Sequence, residues 1–103
     1  MAATNQDCAL ICQESLERFF GQHPDAATQS RALKILRLLT ACEEPLRGNP
    51  EGWAAGIIYW AANHDRQACG VHGLLNSEVE ALFGVSMGTI RKRAAQIERL
   101  LAV

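Results

Sequence analysis

Gly52 to Ala62 reads GWAAGIIYWAA, and no charged residue occurs from Gly52 to Asn63. A helix formed by this stretch is apolar on every side, so it has no face to offer water. It is about half as long as the roughly 20 residues a bilayer-crossing helix needs. No membrane span is therefore expected. The remaining solution is burial at the centre of a globule, with other helices around it and with Gly56 and the alanines letting them approach closely. The start signal is clear: Asn49 stands at the cap, Pro50 falls in the first turn where its missing donor is harmless, and Glu51 favours the helix dipole.

Working towards the N-terminus, residues 6 to 20 place Cys8, Cys12, Leu16 and Phe19 at helical spacing, with Glu14, Glu17 and Arg18 pointing elsewhere. This predicts an amphipathic helix ended by Gly21. Asp25 then caps a second helix through Leu33, Leu36, Leu39 and Cys42, closed by Pro45 and Gly48. On the other side, HDRQACGVHGLL over 64–75 has two glycines and no sustained period, which predicts a loop. Two helices follow it. Ser77 or Asn76 caps a short one that ends at Phe83, Gly84 breaks the chain, and Ser86 caps a last helix with Ile90, Ala94, Ile97 and Leu101 on one apolar stripe.

The spacing from Asn76 to Leu101 is that of a helix-turn-helix. Glycine takes the left-handed conformation past a helix end without a steric penalty, and Val85 tucks between the helices. On this reading Met87, Gly88, Thr89, Lys92 and Arg93 face a DNA groove, Arg91 and Arg99 meet phosphates, and Ser86 and Thr89 donate to phosphate at the helix N-terminus. One position departs from the usual pattern. Glu80 stands where such units place a small residue, so its carboxylate either escapes sideways toward Arg93 or Arg91, or the helices cross differently.

GWAAGIIYWAANH followed by LLNSEVEALFGVSMGTIRKRAAQI resembles a cyclin-box repeat of the transcription factor IIB type. It resembles still more closely a bacterial domain family of unknown function with the pattern W-A-A-x-I-x-Y, then F-G-V-S-x-x-T and a basic residue. The matching positions are Trp53, Ala54, Ala55, Ile57 and Tyr59, then Phe83, Gly84, Val85, Ser86, Thr89 and Arg91 to Arg93. The resemblance implies a five-helix cyclin-like domain with the apolar third helix at its centre. It does not choose a target, because cyclin-like domains bind proteins as well as DNA.

Composition narrows the function classes. At 103 residues the chain is long enough for one core, so a single all-α domain over 1–103 is expected. The net charge of −1 gives no global field for phosphate, but it is unevenly distributed. Residues 1–30 carry −3, whereas residues 85–103 hold Arg91, Lys92, Arg93 and Arg99 against Glu98 alone. Any anionic partner meets the C-terminal half first.

Four cysteines in a chain whose start lacks a secretory pattern predict free thiols and a cytoplasmic location. Cys8 and Cys12, spaced by four, and Cys69 with His72 and His64 lack the Cys-x-x-Cys spacing of a dependable zinc site. Small buried hydrophobes are the better account of the first pair, and no metal or cofactor is expected. No paired carboxylates, nucleophile with a base motif or phosphate-cradling loop appear, so the chain is not read as an enzyme. The functional expectation is a transcription-associated domain that binds double-stranded DNA. The alternative is a cyclin-like protein-interaction or homodimerisation module.

Overall fold

The structure, a computed structural model, describes residues 5–42, 46–63, 71 and 74–101. It is all-α: α1 (Asn5–Gln22), α2 (Ala26–Thr40), α3 (Pro50–Asn63), α4 (Asn76–Phe83) and α5 (Met87–Leu101). Most of the loop expected over 64–75, with Cys69, His64 and His72, lies outside the described residues. No helix among the described residues is long and apolar enough to cross a membrane.

The uncharged third helix sits where its composition puts it. Every residue from Gly52 to Ile58 is buried, and α3 packs against α1, α2, α4 and α5, most extensively against α5. Trp53 keeps its indole satisfied by donating from Nε1 to the Arg47 carbonyl at 2.9 Å. At the other end Arg31 reaches over from α2 and donates to the Ala61 carbonyl at 2.7 Å, placing a cation where the helix dipole favours one.

The flanking helices bury most of the faces their periodicity predicts, but α2 stops at Thr40, short of the expected Cys42, and buries Ala32, Ile35, Leu36 and Leu39 with Leu33 only partly covered. Cys8, Cys12, Leu16 and Phe19 join the core from α1, together with Phe20. Burial raises the Cys8 and Cys12 thiols above their ordinary value, and Cys12 donates from Sγ to the Pro50 carbonyl at 3.2 Å. They are free thiols 4.0 Å apart, packed as small apolar groups. Gly21 does not end α1; the helix carries on through it to Gln22. Asp25 caps α2 as expected, accepting from the Thr28 amide at 3.1 Å. Phe19 of α1 stacks on Phe83 with ring centroids 5.8 Å apart, which ties α4 to the first helix.

Candidate nucleic-acid interface

The residues expected to face DNA are set by the joint between α4 and α5. Gly84 adopts φ 67°, ψ 28°, the left-handed conformation that closes α4, and its amide donates back to the Glu80 carbonyl at 2.8 Å. Neither Asn76 nor Ser77 caps α4. The cap position is Leu75, whose amide donates to Glu78 Oε1 at 3.0 Å. This is the return half of a capping box, in which Glu78 meets the Leu75 amide while the Glu78 amide donates to the Leu75 carbonyl at 3.0 Å.

At the start of α5, Ser86 accepts from the Thr89 amide at 3.2 Å, as its type predicts. Glu80 resolves its unusual position in a way neither sequence alternative foresaw. Its Oε2 accepts from the Met87 amide at 2.7 Å, so α4 supplies a charged cap to α5. The helix N-terminus expected to receive phosphate therefore holds the protein's own carboxylate. The Ser86 and Thr89 hydroxyls also bond to each other at 3.2 Å.

Ile90, Ala94 and Ile97 are buried, Leu101 is partly buried, and this stripe seats α5 on the globule. Met87, expected in the groove, continues that stripe inward and is buried. The opposite side presents Gly88, Arg91, Lys92, Ala95, Glu98 and Arg99, all exposed. The Arg91 and Lys92 side chains make no hydrogen bond or ion pair among the described residues. Glu98 is the only acidic residue of α5.

Arg93, expected to face outward beside Lys92, turns inward. Its guanidinium lies over the Trp53 ring at 4.8 Å from the centroid, and Nη1 donates to Gln96 Oε1 at 2.8 Å. The side chain runs along Gly48, Gly52 and Gly56, spaced by four. At Gly48 and Gly56 a Cβ would collide with it. Gly48 also needs its own φ of 97°, so glycine there serves both the backbone and the arginine. Arg93 thus joins α5 to α3, and the outward cations are Arg91, Lys92 and Arg99.

Among the described residues there is no group of three His, Cys, Asp or Glu side chains able to hold a metal. No protein-family model, curated protein or solved structure matches the chain.

Proposed function

We propose that the chain is a DNA-binding, transcription-associated domain of helix-turn-helix type, in which α4 supports α5 and the outward side of α5 enters the major groove. One observation carries this reading: Arg91, Lys92 and Arg99 share the exposed side of a helix whose other side is locked by Ile90, Ala94 and Ile97. Small Gly88 and Ala95 on the same side leave room for a duplex. Three cations and a capping carboxylate give a weak, salt-sensitive contact as a monomer, and a dimer doubles it. The cyclin-box resemblance and a cytoplasmic setting, in keeping with reduced thiols, belong to this proposal. No catalytic role is assigned.

The test is a titration of the full chain into a fluorescently labelled mixed-sequence duplex at low salt. Changing Arg91, Lys92 and Arg99 together to Ala weakens binding at least about tenfold while the helical circular dichroism stays intact. Unchanged affinity in that variant refutes the proposal.

A second reading has its own observation. Leu75 at the cap of α4 and Leu82, seven residues on, are 68% and 42% exposed, and Leu82 adjoins a groove lined also by Phe19 and Phe83. On that reading the chain is a homodimer through α4, and Leu75→Glu with Leu82→Glu converts a light-scattering dimer into a monomer. A wild-type monomer at high concentration removes this alternative.

A further inference from the structure

The segment leading into α3 lies against one flank of α5. Trp53 Nε1 donates to the Arg47 carbonyl at 2.9 Å, and a Cβ at the next residue, Gly48, would collide with Nη2 of Arg93. One indole and one guanidinium thus fix the backbone at 47–48 beside α5. The Arg47 side chain itself is exposed and makes no hydrogen bond or ion pair among the described residues.

Helical spacing divides the outward side of α5 into two rows. Arg91, Ala95 and Glu98 form one, and Lys92, Gln96 and Arg99 form the other, each four and then three residues apart. The second row borders the segment at 47–48, because Arg93 bonds Gln96 and touches Gly48. It carries two cations and no carboxylate, whereas Glu98 offsets Arg91 in the first row. Gln96 spends its Oε1 on Arg93 at 2.8 Å, and its amide nitrogen, neither buried nor bonded, is left as a donor.

An α-helix is about 10–12 Å across and the major groove about 12 Å wide, so a helix seated in the groove brings its flanks to the phosphate rims. We infer, on the DNA-binding reading of α5, that Arg47, Lys92 and the Gln96 amide together clamp a backbone phosphate on this flank. Trp53 and Arg93, though turned inward, are its positioning residues, since they hold the Arg47 backbone and the Gln96 carbonyl in place. The groups gathered here offer donors and positive charge, the requirements of a phosphate diester. Arg47 thereby joins the three cations of α5 as a fourth charged contact.

The experiment measures the slope of log K against log salt concentration for the full chain and a labelled mixed-sequence duplex. Arg47→Ala reduces its magnitude by about 0.9 and Arg47→Lys restores it, while Arg18→Ala, at an exposed cation on α1, leaves it unchanged. Trp53→Phe keeps a ring beneath Arg93 but loses the Nε1 donor. It weakens duplex binding about threefold in the wild type and has no further effect in the Arg47→Ala background, a coupling that a purely structural role lacks. A slope untouched by Arg47→Ala but reduced by Arg91→Ala overturns the clamp and leaves the DNA-binding reading standing; no duplex binding by the wild type ends both. An Arg18→Ala loss as large as that of Arg47→Ala, or a Trp53→Phe loss equal in the two backgrounds, also overturns the clamp.

Discussion

Gly56→Ala is the sharpest probe of how α5 is seated. In an isolated helix the change is favourable by about 1 kcal/mol, because alanine loses less backbone entropy than glycine. Here a Cβ at position 56 comes 2.6 Å from the Cβ of Arg93 and 3.2 Å from the backbone of Arg93 and Ala94. Carbon atoms pack at about 3.5–4.0 Å. The nearest obstacle is short by roughly 1 Å and is fixed to the α5 backbone, so rotamer changes cannot clear it. The whole of α5 has to lift from α3 along the most extensive helix contact in the molecule.

Overpacking of this kind costs about 1–3 kcal/mol, occasionally more, and outweighs the propensity gain. The expected net loss is about 1–2 kcal/mol, a fall in Tm of roughly 5–15 °C for a domain of this size. Gly52→Ala is the internal control. Its nearest neighbour is Thr89 Cγ2 at 3.4 Å, an ordinary contact, so propensity wins and stability holds or rises by up to about 1 kcal/mol. Urea and thermal unfolding by circular dichroism read both. A Gly56→Ala protein as stable as the Gly52→Ala protein refutes the close α3–α5 seam and the inward Arg93 with it.

Three further outcomes follow from the same contacts. Arg93→Ala removes the cation over Trp53, the bond to Gln96 and the packed stem, and lowers unfolding free energy by about 2–3 kcal/mol, whereas Arg91→Ala and Lys92→Ala stay within about 0.5 kcal/mol. Urea denaturation separates them. Glu80→Gln weakens the α5 cap at a cost of about 0.5–2 kcal/mol, yet raises affinity for a labelled duplex, because a carboxylate leaves the end of the basic helix.

The third outcome concerns alkaline pH. Burial holds the Cys12 thiol above its ordinary value of 9.0. The neutral thiol is the folded form and the unfolded chain releases the proton first. Its contribution is therefore complete below about pH 9 and is lost above it, at about 1.4 kcal/mol per pH unit. Unfolding at about pH 8 and about pH 10 shows this fall in the wild type, and Cys12→Ala reduces it, leaving the share of Cys8, whose thiol burial also raises.

Much of the architecture was legible because each signal is local. The uncharged run at 52–62 announced the central helix, Asp25 and Ser86 announced their caps, and Gly84 announced the break before α5. Met87 was readable too: with Ile90, Ala94 and Ile97 it continues the spacing of the buried stripe, and only its place next to the turn suggested exposure.

What escaped depends on contacts between helices. Arg93 borders the stripe next to Ala94, and the run Arg91-Lys92-Arg93 reads as one charged ridge until α3 supplies Trp53 and a row of small residues to receive it. Glycines at 48, 52 and 56 with an aromatic among them were the available hint. Glu80 was read as a buried liability because its partner is a backbone amide seven residues on, across a turn. The cap of α4 was misplaced by a residue or two because its bond comes from Glu78 inside the helix.

The central claim is that the outward cations of α5, and not its N-terminus, meet DNA phosphate. The salt dependence of duplex affinity tests it most directly, as the slope of log K against log salt concentration for the wild type and for Arg91→Ala, Lys92→Ala and Arg99→Ala singly. Three phosphate contacts on α5 predict a slope of about −2.7 in the wild type, or about −3.6 with Arg47 as a fourth, reduced in magnitude by about 0.9 in each variant. A steep slope that no single variant alters, or binding that shows no salt dependence, contradicts it.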